Sequence, residues 1–190
     1  MKITDSGMPD EAYWNSLFDV ESILDWLPLS PSATVVEVGV GYGTFAVPIA
    51  ARLTNGSVVG LDIDSGMIDI ARRNIANAGL SNIECIERDV VAQGTGIAPD
   101  SVDVVLLFNI LHFTGRRLLL QDAARILKAG GIVAIMHWRT DIETPRGPAV
   151  ALRPDEAEIL RSAEGLNLRA HGKGRLLEPY HFGLQLAKAG

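Results

Sequence analysis

The chain is predicted to fold as an α/β three-layer sandwich, in which helices cover both faces of a doubly wound, mostly parallel sheet. Short apolar segments rich in β-branched residues alternate with longer segments of helical periodicity. These strand candidates are apolar along their length, as strands buried on both faces are. The last two are joined without a helix-length segment, which permits an antiparallel edge. Ligands of such sheets bind beyond the carboxyl ends of the strands, so function is expected in those loops.

The elements follow from this alternation in chain order. Amphipathic spacing predicts a first helix from Asp10, its N-cap, to Leu27, with Pro28 ending it. The strand candidates are 34–38, 57–61, 83–86, 102–108, 132–137, 166–171 and 181–187. The later helix candidates are 45–53, 64–78, 118–128, which Gly130 closes, and 155–163. Pro48 must lie in the first turn of its helix, because proline is tolerated there and disrupts a helix interior.

Composition bounds the class of protein. The 190 residues fit one domain, and 47% hydrophobic with 21% charged residues excludes a largely disordered chain. A net charge of −6 disfavours general binding of phosphate backbones and favours small-molecule partners. A single cysteine excludes an intramolecular disulfide and a cysteine-based zinc site. Without a signal peptide or an 18-residue apolar run, the expectation is a cytoplasmic protein that binds no membrane.

A glycine-rich loop, E-V-G-V-G-Y-G-T at residues 37–44, follows the first strand candidate. Gly39 can adopt a positive φ, Gly41 lets a ligand approach the main chain, and Gly43 permits close packing. The dinucleotide fingerprint G-x-G-x-x-G needs its third glycine three residues after the second, and here the interval is two. Glu37 would also repel a diphosphate, although it would attract a cationic amine. A nicotinamide-dependent oxidoreductase is therefore disfavoured.

Acidic residues follow the next two strand candidates. Asp62 is placed to accept hydrogen bonds from both hydroxyls of a ribose. Asp89 can accept from an adenine amino group while a neighbouring N–H donates to a ring nitrogen. Ile63 and Met67 would flank the flat face of the base. This pattern indicates a site for an adenosine-containing ligand.

These segments resemble the motifs of the class I S-adenosylmethionine-dependent methyltransferases. E-V-G-V-G-Y-G and G-L-D-I-D-S-G-M-I-D-I-A-R-R-N are similar to the first two motifs. E-R-D-V and S-V-D-V-V-L-L-F-N-I-L-H-F resemble the third and fourth, and L-K-A-G-G-I-V-A-I-M-H-W-R resembles the region around the fifth strand. The resemblance covers 10–140 with the motifs in order. It implies S-adenosylmethionine as cofactor and a Rossmann-like, seven-stranded sheet of order 3-2-1-4-5-7-6 with strand 7 antiparallel.

The resemblance also implies roles for individual residues. The cofactor-binding positions of the family hold Glu37, Gly39, Gly41, Gly43, Asp62, Asp89, Val90 and Asn109 in this sequence. Glu37 would bind the methionine amino group, directly or through water, above a bed shaped by the glycines. Asp62 would hold the ribose, and Asp89 with the Val90 backbone would hold the adenine. Asn109 would face the methionine moiety through its backbone carbonyl.

Methyl transfer from this cofactor does not require a catalytic side chain. The sulfonium of the cofactor is already an activated donor, so the protein must orient the acceptor and exclude water. A base helps only where the nucleophile carries a proton of high pKa. The candidates are His112, after the fourth strand, and His137, at the end of the fifth. His112 is otherwise a loop or core histidine, and His137 is otherwise a hydrogen-bonded polar group at a strand end. No two histidines have the i, i+4 spacing of helical metal ligands, so no metal site is predicted.

Two segments are expected to enclose the acceptor within the single domain of residues 1–190. Tyr13 and Trp14, in an N-terminal helical cap over 1–30, would roof the cofactor pocket on the acceptor side; alternatively Trp14 packs the helix on the body. A lid loop over 139–154 follows Trp138, which has the same two interpretations. The arginines of this loop are Arg139, Arg146 and Arg153. They could bind a carboxylate or phosphate of the acceptor, or form surface ion pairs.

The predicted function is methyl transfer to a small-molecule acceptor by in-line displacement. Methyltransferases of exocyclic or amide nitrogens often have an Asn/Asp-Pro-Pro-aromatic turn after strand four, where this chain has N-I-L-H at 109–112. That difference argues against this subclass of RNA, DNA or protein methyltransferases. A macromolecular acceptor and a non-catalytic S-adenosylmethionine-binding module stay open as alternatives. The sequence does not decide the acceptor atom or the oligomeric state, and a homodimer stays open.

Overall fold

The computed structural model describes residues 7–190 as an eight-stranded sheet with helices on both faces. The helices are α1 (Glu11–Asn15), α2 (Val20–Trp26), α3 (Ala46–Arg52), α4 (Ser65–Asn77), α5 (Val90–Gln93), α6 (Arg116–Ile126) and α7 (Glu156–Ala163), with a 3-10 turn at Val150–Leu152. The strands are β1 (Thr34–Val38), β2 (Ser57–Asp62), β3 (Ile83–Glu87), β4 (Val102–Phe108), β5 (Leu127–Trp138), β6 (Leu168–Ala170), β7 (Arg175–Leu177) and β8 (His181–Lys188).

The strand order confirms the predicted topology. It runs β3-β2-β1-β4-β5-β8-β6, with β8 in the place of the predicted seventh strand. The first five strands pair in parallel, and β8 is antiparallel to β5. The additional strand, β7, pairs with β8 over three residues and is too short for a periodic pattern to show. The order reverses between β1 and β4, which places the ligand-binding crevice at their carboxyl ends.

Two apolar cores lie on opposite faces of the sheet. Helices α2, α3 and α4 pack on one face, together with Val35, Leu106 and Met136. Helices α5, α6 and α7 pack on the other, against neighbouring strand positions such as Val36 and Ile135. This alternation confirms that the central strands are buried on both faces. Among the described residues, no helix is long and apolar enough to cross a membrane.

The predicted first helix is in fact two helices. Asp10 caps α1 as expected, but the chain leaves the helix after Asn15. The carboxylate of Asp19 accepts a hydrogen bond from the Ser22 N–H at 3.1 Å and caps α2. Buried Leu17 and Phe18 occupy the joint. A new cap and two core contacts therefore override the continuous amphipathic pattern.

The boundary between α6 and β5 also differs from the prediction. Helix α6 ends at Ile126, and Leu127 already pairs with Val102 in the sheet. Gly130, expected to close the helix, lies inside β5 with φ +76°. The pairing with β4 shifts register between Val102 and Val104, which accommodates the early start of β5.

Capping residues and prolines fix the ends of three further helices. Asp64 caps α4, and Gly79 follows its end with φ +66°. Pro48 is the third residue of α3, where proline is tolerated. Helix α7 begins with a capping box between Asp155 and Glu158, so Pro154 precedes the helix.

Candidate active site

The glycine loop and the carboxyl end of β2 form one hydrogen-bonded unit. The Gly39 N–H donates to the Leu61 carbonyl at 2.7 Å, and the Gly41 N–H donates to Oδ2 of Asp62 at 2.9 Å. Oδ1 of Asp62 accepts from the Asp64 N–H at 3.0 Å. Burial raises the pKa of Asp62, and these backbone donors oppose that shift. The carboxylate predicted to hold the ribose is thus fixed in position by the loop beside it.

Two of the glycines are required by close packing. A Cβ at Gly39, where φ is +79°, would lie 2.8 Å from Cγ2 of Ile110. At Gly43, where φ is +80°, it would lie 2.9 Å from Cγ2 of Val47. Both distances are too short for a Cβ. Glycine at position 39 therefore lets the loop pass the segment after β4, and glycine at position 43 lets it pack closely against the start of α3.

Glu37 is a buried carboxylate with an incomplete set of partners. It is 2% exposed, and its Oε2 atom has no hydrogen-bond partner. Burial raises the pKa of Glu37 well above 4.5; the Ala46 N–H opposes the shift and the charge of Asp62 adds to it. An enclosed carboxylate oxygen without a donor fits a ligand that carries a cationic amino group. The residues present therefore fit the methionine end of S-adenosylmethionine.

The adenine end of the site lies along β2, β3 and the start of α5. The Asp89 carboxylate caps α5 by accepting from the Ala92 N–H at 3.0 Å. Val90 is the first residue of this helix, so its N–H has no partner within the helix. Ile63 and Met67 are partly exposed at the same edge. This arrangement is compatible with the predicted adenine contacts, which stay predictions.

A polar cluster, defined here as Asn109, His112, His137 and His181, lies beside this site. The His112 and His137 rings are 5.9 Å apart between centroids. The side-chain amide nitrogen of Asn109 lies 3.2 Å from Nε2 of His181. His181 pairs in register with Trp138, and their ring centroids are 4.2 Å apart. The ends of β4 and β5 and the start of β8 thus place these side chains at one edge of the sheet.

Enclosed polar atoms without partners are concentrated at this edge. In residues 7–190 they are Glu37 Oε2, Asn109 Oδ1, His112 Nδ1, His137 Nδ1 and Nε2, and His181 Nδ1. Buried polar atoms are nearly always hydrogen-bonded in folded proteins. Glu37 belongs to the cofactor side, and the remaining atoms all belong to the polar cluster. Such a concentration is compatible with a polar ligand at this edge of the sheet.

The histidines of the polar cluster are held neutral. Burial lowers the pKa of His137 to about 3, and that of His181 to about 3. The pKa of His112 is lowered too, mainly by burial. Each neutral ring offers one donor and one acceptor. Within residues 7–190, no three His, Cys, Asp or Glu side chains are arranged to hold a metal ion.

The aromatic acceptor-side candidates lie at the helical cap. Trp14 packs against Phe18 at 5.0 Å and Trp138 at 6.3 Å between ring centroids. Trp138 is 2% exposed, whereas Tyr13 is 41% exposed at the surface. The two tryptophans therefore help to attach the cap to the sheet. Their contact with an acceptor stays a prediction.

The three arginines of the 139–154 loop have different surroundings. Arg139 forms two hydrogen bonds with the Asp141 carboxylate, at 3.0 and 2.8 Å. Arg146 is exposed and donates to the Gly7 carbonyl at 2.5 Å. Arg153 is buried, and no carboxylate among the described residues pairs with it. In this loop, therefore, Arg139 is ion-paired, Arg146 is exposed, and Arg153 is buried without a carboxylate partner within residues 7–190.

A family model described as a methyltransferase domain matches residues 35–131, about half of the chain. The chain belongs to the class I S-adenosylmethionine-dependent methyltransferases. The matched range includes the glycine loop, Asp62, Asp89 and the end of β4 at Asn109. The cofactor of this methyltransferase is S-adenosylmethionine.

A solved structure shares the fold of this chain, and two curated relatives are methyltransferases whose names give different acceptors. A SAM-dependent methyltransferase from Aquifex aeolicus is 23% identical with a TM-score of 0.82, covering 95% of this chain and 94% of that one. A tRNA (guanine-N(7)-)-methyltransferase from Treponema pallidum is 29% identical over 80% of this chain and 68% of its own length. A ubiquinone/menaquinone biosynthesis C-methyltransferase from Geotalea daltonii is 28% identical over 58% of this chain, which spans about half of that relative.

Two features of this methyltransferase site were not singled out by the sequence. His181 contacts Asn109 although 72 residues separate them. The antiparallel pairing of β5 with β8 creates this contact by placing His181 opposite Trp138. Arg153 could not be distinguished from the other arginines of its loop, since its burial depends on how the loop folds.

Proposed function

We propose that this methyltransferase acts on a small-molecule acceptor held between the cofactor site and the polar cluster. The main support is His137, which is fully buried with both ring nitrogens unpartnered and lies 5.9 Å from the His112 ring. Only a small group that enters the fold can reach such atoms. The net charge of −6 adds support, because it disfavours a large polyanionic acceptor.

Each part of the site has a role in this proposal. Bound S-adenosylmethionine supplies an activated methyl group. Glu37 binds its amino group, and Asp62 holds its ribose. The helical cap and the lid loop over 139–154 exclude water from the acceptor. The polar cluster orients the acceptor so that its nucleophile lies in line with the methyl group.

His112 is the better base of the two facing histidines. The pKa of His137, at about 3, makes its ring a poor proton acceptor near neutral pH. His112 is less enclosed, since its residue remains partly exposed. In this proposal His112 accepts a proton from the nucleophile where the acceptor carries one, and His137 binds and orients the acceptor.

An RNA acceptor is the second candidate function. The relative from Treponema pallidum, named a tRNA methyltransferase, matches 80% of this chain. Enzymes that act on a nucleobase extrude it from the stack into an enclosed pocket, and a site of this kind would receive such a base. Such an enzyme would also need contacts to the RNA backbone, which an acidic chain supplies poorly.

A labelled-methyl experiment distinguishes these functions. The full chain is incubated with radiolabelled S-adenosylmethionine and, separately, a panel of low-molecular-mass acceptors, bulk tRNA, or unmodified protein extract. The proposal expects label in a small molecule. Label in tRNA or protein alone would overturn it. Binding of S-adenosylhomocysteine without transfer to any of these would instead favour a non-catalytic module.

A further inference from the structure

Arg153 is a buried cation without an anion beside it. Only 8% of the residue is exposed. Its Nε donates to the Pro148 carbonyl at 2.9 Å, and its Nη1 donates to the Arg139 carbonyl at 2.7 Å. A guanidinium has five N–H donors, so these two bonds leave most of its hydrogen-bonding capacity unused. No ion pair to Arg153 is present in residues 7–190.

The neighbouring carboxylates do not neutralise the charge of Arg153. Asp141 and Glu178 pair with Arg139, at 2.8 and 3.8 Å. Among the described residues, Glu37 is the only buried charged residue besides Arg153, counting Asp, Glu, Lys and Arg. Glu37 belongs to the cofactor side of the site. Burying an unpaired charge is unfavourable, and a bound anion removes that cost.

The free part of the guanidinium is accessible and close to the polar cluster. Nη2 has no hydrogen-bond partner, yet it is not among the fully enclosed unpartnered atoms, so it still reaches the accessible surface. The bond from Nη1 to the Arg139 carbonyl holds the guanidinium at the end of β5, two residues along the chain from His137. In agreement with this position, the charge of Arg153 adds to the larger effect of burial in lowering the pKa of His137 and of His181. An anion on Nη2 would therefore lie beside the proposed acceptor site.

We infer that Arg153 binds a carboxylate or phosphate group of the methyl acceptor, while the polar cluster faces the reacting end of the same molecule. The planar guanidinium matches the geometry of both anions, and it is already held in place by two carbonyls. This inference rests on the proposed small-molecule function and narrows its substrate class to anionic acceptors. Arg153 is then a specificity-determining residue.

Direct anion binding tests the inference without an identified acceptor. The ¹⁵N-labelled chain, free and loaded with S-adenosylhomocysteine, is titrated with acetate, inorganic phosphate or acetamide at constant ionic strength. The side-chain Nε–H signal of Arg153, assigned by its loss in Arg153→Lys, is followed by NMR. We expect a saturable shift with acetate or phosphate and none with acetamide, the neutral analogue of acetate. The anion that saturates identifies the acceptor group.

Matched variants separate binding from a purely structural role. Arg117 also donates to two carbonyls, of Ser162 and Glu164 at 2.8 and 2.9 Å, but lies outside the site. Anion-dependent shifts of backbone signals around residues 137–139 should disappear in Arg153→Gln and persist in Arg117→Gln. Absence of a saturable response to either anion, or an equal response in Arg153→Gln, would overturn the inference. Failure of the proposed function would appear separately, as methyl transfer to tRNA or protein alone.

Discussion

The Asp62 carboxylate accepts a hydrogen bond from the backbone N–H of Gly41 at 2.9 Å, across 21 residues of sequence. This bond joins the carboxyl end of β2 to the glycine loop that follows β1. A carboxylate has about four lone-pair sites, and the Asp64 N–H uses one more of them. Asp62 therefore stabilises the conformation of the glycine loop, and its remaining lone pairs can accept hydrogen bonds from the hydroxyls of a ribose.

Replacing Asp62 with alanine is expected to weaken binding of S-adenosylhomocysteine by about 1–3 kcal/mol, the scale of a lost charged hydrogen-bond acceptor. Isothermal titration calorimetry measures the change. Asp69→Ala is the matched control, because Asp69 is exposed on α4 and its one ion pair within residues 7–190 is with Arg72, at 4.0 Å. Unchanged affinity in the Asp62 variant would contradict the ribose assignment.

Glu37 is expected to make the free protein less stable as the pH rises. Its pKa is raised in the folded state, so its contribution to stability is complete below pH 4.5 and is lost as the pH rises through the raised pKa. Glutamine keeps the shape and cannot ionise. The unfolding free energy of Glu37→Gln minus that of the natural chain should therefore increase from pH 4.5 upward, by at most about 1.4 kcal/mol per pH unit.

Denaturant unfolding at several pH values checks this expectation. Glu84→Gln, the same substitution at an exposed position of β3, is the control variant. The Glu37 variant should also bind S-adenosylhomocysteine more weakly. A difference that does not vary with pH would show that Glu37 is not a buried carboxylate of raised pKa.

Gly39→Ala should cost more stability than Gly130→Ala. Their φ angles are similar, +79° and +76°, so the backbone strain of about 1–2 kcal/mol is shared. A Cβ at Gly39 also meets Ile110 at 2.8 Å, whereas nothing lies within 4 Å at Gly130. Thermal unfolding should show a larger loss for Gly39→Ala, accompanied by weaker cofactor binding. Equal losses would contradict the close approach of the two loops.

His112→Ala is expected to leave the affinity for S-adenosylhomocysteine unchanged and to slow turnover. General-base assistance is typically worth at least about 100-fold, so a loss of that order is expected for an acceptor that must lose a proton. Calorimetry and single-turnover methyl transfer give the two readouts. Loss of cofactor binding together with turnover would make His112 a structural residue.

Sequence patterns predicted the features of the fold that depend on local periodicity. The bounds of β4 at Val102–Phe108 follow from its continuous apolar run, and the strand order follows from the family resemblance. The break in the first helix after Asn15 could not be predicted from periodicity, because it depends on Leu17 and Phe18 being buried in the core. Tertiary contacts overrode the continuous helical pattern there.

The strand-end residues of the candidate site could be predicted from the sequence, whereas the surroundings of its loop residues could not. The positions of Glu37 and Asp62 follow from the ends of two strands, which a parallel sheet brings to one edge. The surroundings of Arg139 and Arg153 depend on the fold of an irregular loop. In that loop Arg139 is hydrogen-bonded to Asp141, and Arg153 is buried. Neither periodicity nor spacing determines which arginine is paired.

The central claim is that the glycine loop, Glu37 and Asp62 form the S-adenosylmethionine site. Calorimetric titration of the full chain with S-adenosylhomocysteine, with NADH as the control ligand, tests it most directly. Micromolar binding of S-adenosylhomocysteine and no binding of NADH is the predicted result. Binding of NADH alone, or of neither ligand, would contradict the claim.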